Sequence, residues 1–177
     1  MRLVAPPRAR AGIVFVHPSD EMYGADRVLL NIYDALDPDQ RAGAEFWLPT
    51  DLEHGQHPLC VQLELRGATV RHLDLPILRR SHRTPRHLYD MARQVVRLMG
   101  ELRKTRPDTV YCTTSAAFLA APIARACGVP HIFGHIQEIW GRADYRILSM
   151  LGRACDRLLA ISAPVAASTG RLIDRVR

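Results

Sequence analysis

An α/β domain on a mainly parallel sheet, with helices on both faces, is the fold class this sequence predicts. Three observations carry it. Short apolar runs of strand length alternate with longer segments whose apolar residues recur every three and four positions. The alternation persists along the chain from Gly12, without an internal repeat or a low-complexity stretch. Glycine, proline and aspartate punctuate the passages between the two kinds of segment. Repeated β-α units of this kind form parallel strands joined by right-handed crossovers.

The first strand is Ile13-Val14-Phe15-Val16, followed by a polar loop from His17 to Tyr23. Gly24-Ala25 opens a helix whose apolar face is Val28, Leu29, Ile32, Tyr33 and Leu36. Ala44 to Leu48 is a second strand, Pro58 to Arg66 a helix ended by Gly67, and Thr69 to Leu73 a third strand. Thr84-Pro85 starts the longest helix, with proline in the first turn where its missing N–H costs nothing. Thr109 to Cys112 is the fourth strand, and a helix from Ser115 to Cys127 closes at Gly128-Val129-Pro130. A fifth strand, His131 to Phe133, a helix from Tyr145 to Ala154 and a sixth strand, Arg157 to Ile161, follow. Ser162 caps a last helix running towards the C-terminus. The first strand is expected at the centre of a sheet of six or seven.

The 177 residues suffice for one domain with a proper core, and an apolar content of 47% argues against disorder. No apolar stretch is long and uninterrupted enough to span a bilayer. Residues 1–11 carry three arginines and two prolines, without the apolar run of a secretory signal, and read as a flexible tail. The four cysteines lie far apart with no CxxC spacing, so free buried thiols in a reducing, cytoplasmic compartment are expected, and no metal. The net charge of +6 rests on arginine, with Lys104 the only lysine. It admits an anionic partner without requiring nucleic acid.

In sheets of this class ligands bind beyond the carboxyl ends of the strands. Those ends are His17 to Tyr23, Thr113 to Ser115, His135 to Trp140, and Ser162. The loop and helix N-terminus around Gly24 make a natural anion site, because unpaired N–H groups and the helix dipole point into it. A lone glycine is not the G-x-G-x-x-G of dinucleotide sites, which disfavours a dehydrogenase. Ser19, Asp20 and Glu21 read either as ligands for hydroxyl groups or as a solvated loop and cap. No serine sits in a nucleophile elbow, so esterase chemistry is disfavoured. The densest positive run, with Arg79, Arg80, Arg83 and Arg86, reads as a solvated loop or as a contact for an anionic surface. It holds no aromatic residue before Tyr89, which weakens a nucleic-acid reading.

Four stretches in register resemble the N-terminal lobe of family 4 glycosyltransferases of the GT-B fold. They are Gly24-Ala25-Asp26-Arg27-Val28-Leu29-Leu30 after the first strand, Arg106 to Cys112, Gly128 to Ile132, and Ala154 to Ser162. The family's glycine-glycine-alanine-glutamate is here departed from twice, with Tyr23 for the first glycine and Asp26 for the glutamate. The resemblance implies a Rossmann-like, three-layer domain over residues 12–177, on the acceptor side of a two-lobed enzyme whose C-terminal donor-binding lobe is absent from this chain. It implies a retaining hexosyltransferase that moves a sugar from a nucleotide-sugar to a hydroxyl of a glycan or lipid-linked acceptor, without a cofactor. The chain alone is then expected to be inactive.

By the same resemblance His135 is the catalytic candidate: relatives place a histidine directly before an acidic residue here. In this chain Gln137 stands before Glu138, with His135 two residues before Gln137, so either His135 or Gln137 is placed to approach the sugar. The acceptor-binding candidates are Ser19, Asp20, Tyr23, Gly24, Gln137 and Glu138. The blander alternative makes His135 and Glu138 caps of a strand and a turn. Trp140 and Ile139 are expected on the apolar surface facing the second lobe, favouring self-association when exposed. Peripheral contact with the inner face of the plasma membrane through the arginines is the corresponding expectation for location. The rival reading from another class is a non-catalytic binding module, or a split-enzyme subunit that pairs with a partner lobe.

Overall fold

The computed structural model describes residues 12–50, 58–79 and 85–170, with side chains throughout except at 85–87. Six strands form one parallel sheet: β1 (Ile13–Val16), β2 (Ala44–Pro49), β3 (Thr69–Leu73), β4 (Thr109–Cys112), β5 (His131–Ile136) and β6 (Arg157–Ala160). Their order across the sheet is β3-β2-β1-β4-β5-β6. As expected, β1 is central, pairing with β2 on one side and β4 on the other.

Helices cover both faces, giving three layers. On one face, α1 (Gly24–Asp34) and α3 (Pro58–Leu65) bury Leu29, Leu30, Tyr33, Leu59 and Leu63 against Phe15, Phe46 and Leu48. The Phe15 and Phe46 rings stack at 4.8 Å, and Tyr33 meets Phe46 edge-on at 5.2 Å. The other face holds α4 (Pro85–Thr105), α5 (Ala120–Ala126) and α6 (Arg142–Gly152) over Val14, Val16, Val110, Cys112, Ile132 and Leu158. Period-two alternation along β1 sends Phe15 to the first face and Val14 and Val16 to the second. A short helix, α2 (Pro38–Ala42), and a terminal one, α7 (Ala163–Ser168) capped by Ser162, complete the described chain.

The differences from the sequence expectation have local causes. The helix expected from Ser115 to Cys127 is broken into a single 3-10 turn, Ser115–Ala117, and α5. Pro122 lacks an N–H and its ring crowds a preceding carbonyl, so the helix begins two residues ahead of it, where first-turn donors are unpaired anyway. Strand β5 runs three residues past Phe133, through Gly134. That glycine is a site of close approach rather than a strand end. A Cβ there would lie 2.8 Å from Leu158 and 2.9 Å from Phe118. Helix α6 starts at Arg142, capped by the extended Gly141, not at Tyr145. Short α2 went unforeseen, although Asp37-Pro38 with Gln40 carries an N-terminal signature. Residues 1–11 and the stretch beyond 170 lie outside the described residues.

Gly134→Ala forces the Phe118 ring off the strand, and overpacking of this kind costs about 2 kcal/mol. Urea denaturation measures it. A change within about 0.5 kcal/mol, the ordinary surface range, would mean that Phe118 yields freely.

Candidate functional site

The strand order reverses between β1 and β4, whose following segments run to opposite sides of the sheet. A crevice forms at this carboxyl edge. His17 and Thr113 are the first residues beyond the two strands. Each is held by sheet-type bonds, His17 N–H to Trp47 O at 3.1 Å and Thr113 N–H to Val16 O at 3.1 Å.

Across the reversal the two side chains join. His17 Nδ1 lies 2.6 Å from Thr113 Oγ1, and His17 Nε2 donates to Asp26 Oδ1 at 2.7 Å. Ser19 Oγ donates to the same carboxylate oxygen at 2.6 Å, and Tyr23 N–H donates to Asp26 Oδ2 at 2.8 Å. The last bond is half of a capping box, because Asp26 is the third helical residue of α1. Burial would raise the pKa of Asp26, but the bonds from His17 and Ser19, the His17 charge and the Tyr23 N–H outweigh it, and the net shift is downward. The carboxylate of the Gly-Ala-Asp stretch thus shapes the loop from within. His17 and Asp26 are both fully buried, and neither was nominated as a site residue from sequence.

Gly24 is the first residue of α1 and is not among the positive-φ glycines, so backbone strain does not demand it. A Cβ there would meet nothing within 4 Å, which leaves open space above the loop. Tyr23 beside it is 69% exposed. Asp20, expected to bind acceptor hydroxyls, is instead buried and committed inward. Its Oδ1 accepts from Cys60 N–H at 2.7 Å and its Oδ2 from His72 Nε2 at 2.7 Å. The absence of cysteine spacing argued against a metal, yet Asp20, Cys60 and His72 offer ligand atoms all within 4.8 Å of one another.

Near the end of β5, the His135 ring stands perpendicular to that of Tyr111 with centroids 6.2 Å apart, and the Tyr111 hydroxyl lies 3.3 Å from its Nδ1. Desolvation lowers the pKa of His135, which favours the neutral ring. Gln137 Nε2 donates to Thr113 O at 2.9 Å, tying the β5 loop to the β4 loop, while Glu138 is exposed. Trp140 corrects an expectation: it is core, not interface. Its Nε1 donates to Ser115 Oγ at 2.9 Å and its ring meets Phe118 and Tyr145 edge-on. Ile139 is 65% exposed, as expected. Loops after β1, β4 and β5 therefore meet at one edge. Among the described residues Thr114 Oγ1 is the buried side-chain oxygen without a protein partner, and it lies in the middle loop.

Segment 74–79 crosses back over the same edge: Leu78 N–H bonds Ala116 O at 2.9 Å, and Arg79 reaches Pro18 O at 3.5 Å. Arg79 therefore borders the crevice, while Arg80, Arg83 and the side chain of Arg86 lie outside the described residues. Among those described, no helix is long and apolar enough to cross a membrane.

No family model matches the sequence, and no match is found among curated proteins. Similarity to solved structures is clear at the level of fold. HepE of Anabaena, in complex with UDP and glucose, superposes with a TM-score of 0.70 at 16% identity, over 94% of this chain and 43% of HepE. The apo form of the lipopolysaccharide outer core galactosyltransferase WaaB gives 0.66 at 16% identity, over 93% of this chain and 44% of that one. MurG of Acinetobacter baumannii gives 0.53 at 15%, over 84% and 40%. These neighbours are GT-B glycosyltransferases, and the chain spans less than half the length of each. Its fold is the Rossmann-like α/β fold of a single lobe.

The Asp26 network predicts an acid-sensitive contribution. A carboxyl with a lowered folded-state pKa stabilises fully above its unfolded value of about 3.9, and that contribution is lost as pH falls through the folded value. Asp26→Asn should cost about 2 kcal/mol at neutral pH, the worth of hydrogen bonds to a charged group. Its deficit relative to the unaltered protein should shrink below about pH 4. Chemical denaturation at several pH values checks this; a pH-independent deficit would remove the charge from the explanation.

Proposed function

We propose that this chain is the N-terminal, acceptor-side lobe of a retaining glycosyltransferase acting on a nucleotide-sugar donor and a hydroxyl of a glycan or lipid-linked acceptor. The observation that carries the reading is the convergence of the loops after β1, β4 and β5 at the reversal point, in a fold shared with single lobes of GT-B transferases. HepE was crystallised with UDP and glucose and with UDP-glucose, which makes uridine diphosphate sugars the first donors to test.

In this reading Ser19, Tyr23 and Gly24 line the acceptor side, with the open space above Gly24 as the approach path. The neutral His135 and Gln137, at the end of β5, face a sugar hydroxyl or phosphate oxygen. Neutrality suits such a histidine, because the ring can accept a proton or a hydrogen bond. The second lobe holds most of the donor diphosphate, so the chain alone does not turn over. Arg79, which borders the crevice, meets an anionic headgroup at the acceptor entrance, at the inner face of the membrane.

Two outcomes are expected. Residues 1–177 alone show no turnover of any nucleotide-sugar and bind donors no more tightly than about 1 mM, on the order of 4 kcal/mol, by calorimetry. Micromolar donor affinity would put the donor site in this lobe and overturn the assignment. In the two-lobed protein, Gly24→Val abolishes acceptor-dependent transfer while the melting temperature stays nearly unchanged, since its Cβ meets no neighbour. Unimpaired transfer in that variant would remove Gly24 from the acceptor path.

A further inference from the structure

We propose that Asp20, Cys60 and His72 form a binding site for a zinc-type divalent transition ion, which clamps the loop after β1 to α3 and β3. The three residues come from three elements and are separated by 40 and 52 positions from Asp20. Nothing in their sequence spacing announces them.

The donor set selects the ion class. Thiolate sulfur and imidazole nitrogen suit zinc and its neighbours, whereas magnesium and calcium prefer all-oxygen shells. Asp20 and Cys60 are buried and His72 is a third exposed, so the group sits at the rim with an approach from solvent. A tetrahedral ion with bonds of about 2.0–2.3 Å needs its ligand atoms roughly 3.3–3.7 Å apart. The three atoms already lie within 4.8 Å of one another, so side-chain rotation suffices. Asp20 Oδ2 and His72 Nε2, now hydrogen-bonded at 2.7 Å, open by less than an ångström-scale step to share the ion.

One preparation for coordination is built in. Asp20 Oδ1 is held by the backbone N–H of Cys60, a ligand residue itself, at 2.7 Å. That bond orients the carboxylate and directs Oδ2 towards His72 Nε2, the side on which the ion is shared, the task outer hydrogen bonds perform in metal centres. Burial, Glu64 one helical turn beyond Cys60 on α3, and Asp20 push the Cys60 thiol up to about 11, so it keeps its proton until an ion displaces it. Cys60 binds as thiolate, its proton passing to solvent. With three protein ligands the fourth position takes water, as in open zinc sites.

The test uses the full chain without an affinity tag, stripped with a chelator and titrated with zinc and with cobalt(II). Expected are one zinc per chain with micromolar or tighter affinity, a rise in melting temperature on zinc addition, and a sulfur-to-cobalt charge-transfer band. Cys60→Ser should abolish the band, and His72→Ala should weaken zinc by at least the 10- to 100-fold that loss of even an outer partner costs. Cys127→Ser, at a half-buried thiol elsewhere, should change neither. Absence of saturable zinc uptake, or a cobalt band that survives Cys60→Ser, would overturn the site and leave the trio a hydrogen-bonded tie. Should Cys60→Ser fail to fold, the cobalt band of the unaltered protein and its response to His72→Ala decide alone.

Discussion

A carboxylate buried at the N-terminus of a helix must be fully bonded or it destabilises the fold, and Asp26 meets that demand from three directions. His17 Nε2, Ser19 Oγ and Tyr23 N–H supply the donors, and Thr113 closes the far side of the His17 ring. Removing one partner from such a buried pair costs several times what the intact pair contributes. The chain therefore has little freedom at the reversal point. Position of the loop, start of α1 and spacing of β1 from β4 are set together, and the crevice inherits its shape from that constraint. Gln137 extends it to β5 by bonding Thr113 O.

Much of the fold was legible in the sequence because strands and helices differ in apolar period. The 13–16, 69–73 and 109–112 strands match expectation to the residue. Failures cluster where a residue type has two meanings. Gly134 reads as a strand end but is required by the Phe118 ring, and Pro122 falls inside the helix expected from Ser115 to Cys127 but resets its start. Both depend on what lies across the layer, which no local window contains.

The candidate site was legible in outline and misread in detail. Strand ends could be found by counting, so the loops at 17–23, 113–115 and 135–140 were correctly placed at one edge. Which side chains turn inward could not be found that way. Polar residues in loops read as solvent-facing, yet His17, Asp20 and Asp26 are among the most buried polar groups in the molecule. Conversely Trp140 reads as an exposed aromatic and is held in the core by Ser115 and Phe118. His17 and Asp20 are turned inward by partners 96 and 40 positions away and Trp140 by one 25 away, while Asp26 is held by three residues within nine positions. At 16% identity the likeness to HepE is one of fold.

The placement of the two tryptophans gives the protein a built-in optical gauge. Trp47 lies in β2 with Arg71 stacked 5.4 Å from its ring and its Nε1 bonded to Glu45. Trp140 sits between the β4 and β5 loops, its emission tied to a single hydrogen bond from Nε1 to Ser115. Replacing Trp47 with phenylalanine leaves one tryptophan, and its emission reports on the relative position of two loops at the crevice. Rearrangement of this edge thus becomes visible as a wavelength shift, in real time and without a label.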